Sequence, residues 1–291
     1  MIKLIASDMD GTLLNASHEI SEKNAEAIRY AQSLGITVII ATGRAFYEAS
    51  TPVEHSGLKV PYICLNGAEV RDESFNIIST SNLNHELVQR ITTELDNEDV
   101  YYQIYTNRGI YTENPDRDLE IYVDIAERAG QQADVEKIKH AIQDRIDNGS
   151  LKVVEDYSKI ESVPGELIMK VLAFDSDLEK IDRVSKRLSE SNHLAISSSS
   201  RGNIEITHSD AQKGIALESI AEKLGVDMDD EVMAIGDNLN DVSMLSRVGY
   251  PVAMENATDE VKAVANYITE SNEQDGVGNA IIKYLDEHNY E

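Results

Sequence analysis

Asp8 and Asp10, one residue apart in "SDMDGT", are the pair from which chemistry can start. Two carboxylates this close repel, and ionising both is costly without a counter-ion. Yet the apolar run "KLIAS" leads straight into them. Either the pair lies on a solvated turn, or a cation belongs beside it. An aspartate carboxylate can attack phosphorus and form an acyl phosphate, a role that falls to Asp8. A second carboxyl, Asp10, can protonate the departing alkoxide and later deprotonate a water. Gly11 permits the tight turn that brings both to one group.

Other residues of matching chemistry recur along the chain. They are Thr42, Gly43 and Arg44 in "ATGR", Asn66 in "NGAEV", Lys213 ahead of a helix, and Asp237, Asn238, Asn240 and Asp241 in "GDNLND". Oxygen donors with one or two carboxylates suit Mg2+. A hydroxyl, an ammonium, amides and backbone N–H groups at turns suit a phosphate. Together they supply the positioning and charge that in-line phosphoryl transfer requires. Singly, each has an ordinary reading. Asp10-Gly11 is a common turn, Lys213 a solvated surface lysine, "GDNLND" a capped helix start, and Arg44 a partner for any of many carboxylates.

Positioning these residues requires strands that end where they begin. "KLIAS", "ITVIIATGR" and "PYICLNG" are continuous apolar runs, as strands buried on both faces are. Between the first two, "SEKNAEAIRYAQSLG" has Ser21 as cap, Ala25, Ile28, Ala31 and Leu34 on one face, and Gly35 as stop. The same rhythm returns after "HSDAQKG": helix "KGIALESIAEKLG", strand "EVMAIGDN", helix "NDVSMLSRVG", short strands "PVAM" and "NYIT", and a helix at 277–287. This βαβ pattern predicts an α/β fold, a Rossmann-like parallel sheet with helices on both faces. In such sheets ligands bind at the carboxyl ends of strands, where these residues fall, with Lys213 ahead of a helix next to that edge.

From about residue 83 the texture changes. "YYQIYTN" and "GIYTEN" read as paired strands with a half-exposed face, with helices near 118–130 and 134–147. "ELIMKVLAF" is a strand and "SDLEKIDRVSKRLSES" a helix. "LAISSSS" and "NIEITH" form a hairpin around Arg201-Gly202-Asn203. Tyr101, Tyr102, Tyr105 and Tyr111 are expected as core and strand filler, with substrate contact as the alternative. Residues 1–82 and 209–291 therefore form one discontinuous domain, interrupted at 83–208 by an inserted α+β unit with helices on one face of an open sheet. Its two crossings are short and polar, as hinges for a closing cap would be.

Composition narrows the partners. With 26 Lys+Arg against 53 Asp+Glu, the net charge is -27, which argues against nucleic acid and anionic membranes. The single cysteine, Cys64, lies in an apolar run and excludes a disulfide framework. No leader or spanning segment is expected, so a cytoplasmic location is the default.

"DMDGT", "ATGR", a lysine before a helix, and "GDNLND" resemble, in order, the four motifs of the haloacid dehalogenase superfamily. "NGAEV" and the late "VAMENA…YIT…N…DGV" run resemble its Cof-type subfamily of small-metabolite phosphatases, and the insert occupies the place of that subfamily's cap. No motif position departs from the pattern. The resemblance implies Asp8 as nucleophile and metal ligand, and Asp10 as acid/base with its carbonyl on the metal. It implies Asp237 as the second carboxylate ligand and Asn238 as a ligand or a residue steering a metal water. Asp241 would orient such a water or Lys213. The Met9 backbone, Thr42, Gly43, Lys213 and Asn240 would hold the phosphate, and Arg44 and Asn66 would line the mouth. The activity implied is Mg2+-dependent hydrolysis of small phosphorylated metabolites, sugar phosphates first. A phosphomutase and a non-catalytic phosphometabolite sensor stand as alternatives. The sensor has no use for the Asp8/Asp10 pair.

Overall fold

The computed structural model describes residues 1–128, 133–198 and 202–288. Residues 129 and 130 of the expected helix, and Ser199, Ser200 and Arg201 of the expected hairpin, lie outside them. The contacts divide the chain into two compact units, Met1–Ser81 with Asp210–Glu291, and Asn82–Ser209.

The first unit begins with β1 (Leu4–Ser7), α1 (Glu22–Ser33), β2 (Thr37–Ala41), α2 (Phe46–His55), β3 (Tyr62–Cys64), β4 (Glu69–Arg71) and β5 (Ile77–Thr80). The second unit contains α3 (His85–Asn97), β6 (Tyr101–Thr106), β7 (Gly109–Thr112), α4 (Pro115–Arg128), α5 (Val135–Asp147) and β8 (Leu151–Val153). It continues through β9 (Ile168–Phe174), α6 (Leu178–Leu188), β10 (Leu194–Ser197) and β11 (Asn203–His208). The chain then returns with α7 (Lys213–Leu224), α8 (Met228–Glu231), β12 (Val232–Gly236), α9 (Val242–Leu245) and β13 (Tyr250–Ala253). α10 (Asp259–Val264), β14 (Tyr267–Ile268) and α11 (Gly276–Glu287) complete it.

The first unit is built on an eight-stranded sheet in the order β14-β13-β12-β1-β2-β3-β4-β5. β14 through β3 are parallel, and β4 and β5 add an antiparallel edge. β1 lies at the centre, with Leu4 in register with Val232 on one side and Thr37 on the other. All four of its residues are buried, which explains the unbroken apolar run. Two helix groups cover the sheet: α1 packs on α11, and α7 on α9. Ser21 caps α1, its side chain accepting from the Asn24 N–H.

The second unit is a six-stranded sheet, β10-β11-β9-β6-β7-β8, antiparallel except between β7 and β8. α3 and α6 bury Leu87, Ile91, Leu95, Ile181, Val184 and Leu188 against Tyr102, Ile104, Val171 and Ile206. Two features differ from the sequence reading. β6 and β7 are buried throughout rather than half exposed. And α4 meets the opposite face, where Gln103 Nε2 donates to Asp118 Oδ1 at 2.6 Å and the Tyr101 hydroxyl donates to the same oxygen. That face carries polar groups in compensated pairs, including Lys170 with Glu205 at 3.7 Å, so its alternation is polar without being solvated. The four tyrosines are each 6–8% exposed.

Candidate active site

Strand order alone gathers the candidates. Asp8 follows β1, and its N–H donates to Ile235 O of β12 at 3.0 Å. Asp237 follows β12 and Thr42 follows β2, so three neighbouring strands deliver them to one edge. The turn after β1 is held by Met9 O, which accepts from the N–H groups of Thr12 and Leu14 at 3.2 and 2.9 Å. Gly11 sits at φ +75, and a Cβ there would come 2.4 Å from Asp237 Oδ2. Only glycine lets the turn lie this close to the second carboxylate. Thr12 Oγ1 donates to Asp237 Oδ1 at 2.7 Å.

Lys213 opens α7 and is 1% exposed. Its ammonium donates to Asp8 Oδ1 at 2.6 Å and to Asp241 Oδ1 at 2.7 Å. The other oxygen of Asp241 accepts from the N–H groups of Asp237 and Asn238, at 3.0 Å each. Both Asp241 oxygens are thus engaged in holding the lysine and the turn. Gly67, at φ +109, lets its own loop close onto Gln212 O, 2.6 Å from where a Cβ would stand, just ahead of Lys213. Gly67 thereby leaves room for the segment that delivers the lysine.

Oxygens of Asp8, Asp237 and Asp241 lie within 4.8 Å of one another, and the ammonium facing Asp8 and Asp241 is that of Lys213. The imbalance bears on the protonation of these groups. Burial, then the charges of Asp241 and Asp237, push the Asp8 carboxyl well above the usual range, against the pull of Lys213. Burial, then Asp241, raise Asp237 to about 6. Burial opposes the Lys213 charge, but Asp241 and Asp8 outweigh it and hold that group above its ordinary value. A cluster of carboxylates short of positive charge, with oxygen donors throughout, fits a hard divalent cation.

Arg44, expected at the mouth of the site, binds Asp10. Its Nε donates to Asp10 Oδ2 at 2.7 Å and its Nη2 to Asp10 Oδ1 at 2.5 Å, a two-pronged grip on that carboxylate. Thr42 Oγ1 accepts from the Arg44 N–H at 3.1 Å. Asn66, with a left-handed φ of 58, donates its N–H to Thr42 O at 3.0 Å. Asn240 Nδ2 in turn donates to Asn66 Oδ1 at 3.2 Å. Asn238 Oδ1 accepts from the Leu239 N–H at 2.8 Å, the capping arrangement open to that residue from sequence.

Three neighbours of these groups escaped the sequence reading. Thr12 was visible inside "DMDGT", but its bond to Asp237 joins residues 225 positions apart. Asn256 Nδ2 donates to Gly11 O at 2.8 Å. His18 stands beside Asp10 and Arg44, with nothing in "NASHEI" to single it out.

The sequence profile of the haloacid dehalogenase-like hydrolases matches residues 5–281. The chain belongs to this family, in its Cof-type branch. Among its relatives is phosphatase YwpJ of Bacillus subtilis, 32% identical over 286 residues, covering 98% of this chain and 100% of the relative. Another is 5-amino-6-(5-phospho-D-ribitylamino)uracil phosphatase YwtE of the same organism, 33% identical over 287 residues and covering 98% of both. A solved haloacid dehalogenase-like hydrolase from B. subtilis superposes with a TM-score of 0.86 at 31% identity, covering 97% of this chain and 99% of its own.

Proposed function

We propose that this protein hydrolyses small phosphorylated metabolites, sugar phosphates foremost, through an aspartyl-phosphate on Asp8 and with Mg2+ as cofactor. The enzyme class, phosphoric monoester hydrolase, follows from the family and its phosphatase relatives. The observation that carries the mechanism is the buried ammonium of Lys213 between Asp8 and Asp241. A sensor would have no use for a buried nucleophile held in this way.

In this reading Asp8, Asp237, the Asp10 carbonyl and Asn238 would hold the cation, while Asp241 orients Lys213. A bound Mg2+ would supply positive charge to offset the carboxylates and the charge of the phosphoryl group. Asp8 attacks phosphorus, and its new P–O bond forms as the ester P–O bond breaks. Asp10, which must first leave the two-pronged grip of Arg44 and take up a proton, gives that proton to the departing alkoxide. It then takes one from the water that attacks the acyl phosphate, releasing orthophosphate and restoring Asp8. Thr42, Gly43, Asn240 and the Met9 backbone steady the phosphate, with Lys213 as its cation.

Residues 83–208 are proposed as the cap that selects among leaving groups, and the cytoplasm as the site of action. The named substrate of YwtE is a ribityl phosphate, so polyol phosphates belong beside sugar phosphates in the screen. The test is phosphate release over such a panel, with Mg2+ and after exhaustive EDTA. Isomerised hexose phosphate in place of released phosphate would make the protein a mutase. Exposed cap-loop variants that never change relative rates would remove the cap from specificity.

A further inference from the structure

The turn after β1 places one histidine where packing gives no reason for it. His18 adopts φ 58, a left-handed conformation that disfavours any side chain with a Cβ. The turn is tied on several sides. Asn15 Oδ1 accepts from the N–H groups of Ser17 and Glu19 at 3.0 Å each. The His18 N–H donates to Asn15 O at 2.8 Å. Glu273 Oε1 accepts from the Ala16 N–H at 2.6 Å, and Asn272 Nδ2 donates to Leu14 O at 2.8 Å. The strained residue is therefore held in place, yet its side chain is 72% exposed. Strain without burial in return points to a role outside stability. The imidazole Nδ1 lies 3.4 Å from Arg44 Nη2 and 3.9 Å from Asp10 Oδ1.

We propose that His18 is a specificity-determining residue that hydrogen-bonds a hydroxyl next to the ester oxygen of the substrate. This rests on the reading above, in which Asp10 serves the leaving oxygen. A solvent-facing ring beside Asp10 then stands on the leaving-group side of the phosphate. Imidazole both donates and accepts, so it matches a hydroxyl and gives an unsubstituted alkyl group nothing to bond. The favoured class is phosphate esters with a hydroxyl on the carbon adjacent to the ester carbon.

Glycerol 1-phosphate and propyl phosphate form the matched pair of probes, assayed with the wild type, His18→Ala, His18→Gln and His18→Gly. The wild type is expected to favour the hydroxylated ester. His18→Ala should lose about tenfold in kcat/KM on glycerol 1-phosphate and stay within about twofold on propyl phosphate, the loss expected for one hydrogen bond. His18→Gln should recover most of it. His18→Gly, free to adopt this φ, should match or exceed the wild-type Tm while showing the same selective loss. Equal loss on both esters, no loss on either, or no wild-type preference overturns the proposal. Asp8→Asn run in parallel keeps the two readings apart. If it still releases phosphate, the phosphatase mechanism fails; if it is inactive while His18→Ala is neutral, only the role of His18 falls.

Discussion

Lys213 and Asp8, 205 positions apart in the chain, meet with Nζ 2.6 Å from Oδ1, both side chains buried. The start of α7 is thereby fixed to the end of β1, and the carboxylate proposed as nucleophile is fixed to its counter-ion. Asp241, on the same ammonium, makes the lysine serve two carboxylates at once.

Replacing Lys213 by alanine should therefore act twice. Catalytic efficiency should fall about a thousandfold, through loss of the cation beside the transferring oxygens. Stability should fall by about 3–5 kcal/mol, because two buried carboxylates lose their partner. Steady-state rates and urea denaturation measure the two effects. A change below about tenfold in rate would place the lysine elsewhere.

Asp8→Asn should abolish turnover, since an amide cannot form the acyl phosphate. The fold should persist, and in EDTA above pH 7 the variant should be at least as stable as the wild type, one repelling charge being gone. Circular dichroism melts beside the phosphate assay test both halves.

The raised carboxyls of Asp8 and Asp237 fix the sign of a pH effect. A group whose folded value exceeds its unfolded one contributes stability that is complete below the unfolded value and lost as pH rises through the folded one. For Asp237 that window runs from about 4 to about 6. Metal-free protein should accordingly lose stability from this group across that range, and Mg2+ should raise Tm more at pH 7.5 than at pH 5. Equal metal-induced shifts at the two pH values would contradict the assignment, as would hydrolysis that survives EDTA.

The grip of Arg44 on Asp10 should appear in leaving-group dependence. Arg44→Ala leaves Asp10, the proposed acid/base, without the group that positions it and should lower kcat by about ten- to hundredfold, more for an alkyl ester than for p-nitrophenyl phosphate. Arg44→Lys should not restore the rate, because an ammonium lacks the planar fork. Asp10→Asn should show the same ordering with deeper losses. Equal losses on both esters would remove Asp10 from proton transfer.

Gly11→Ala meets two obstacles at once, a left-handed φ and a Cβ 2.4 Å from Asp237 Oδ2. Activity should collapse and Tm should drop, whereas alanine at Gly35, with φ +82 and open space around it, should cost Tm but not activity. Equal effects on rate at the two glycines would disprove the close approach of the turn to Asp237.

Much of the fold was legible because its strands are buried on both faces. β1, β2 and β12 read as apolar runs ending in polar residues for that reason. α2 was not read: it contains Pro52, and its N-cap is Ala45, which makes no side-chain cap bond. The β4–β5 hairpin was missed because β4 has three residues and all four of β5 are exposed, leaving no alternation to detect. In the site, residue types were legible and pairings were not. That Arg44 holds Asp10, or that Thr12 holds Asp237, depends on backbone direction across strands distant in sequence.

The central place of β1 also sets an order of assembly on the ribosome. Its edge toward β2 can close early, but the partner on its other edge, β12, begins only at Val232. The inserted sheet has all its strand partners between Asn82 and Ser209, so it can complete its pairing while β1 still has an open apolar edge. Asp8, the first carboxylate of the candidate site to be synthesised, thus waits for Lys213, Asp237 and Asp241. A nascent or truncated chain ending between Ser209 and Val232 can have a finished insert while the candidate site is still incomplete, and the half-built parent sheet is the stretch that most needs shielding from other chains.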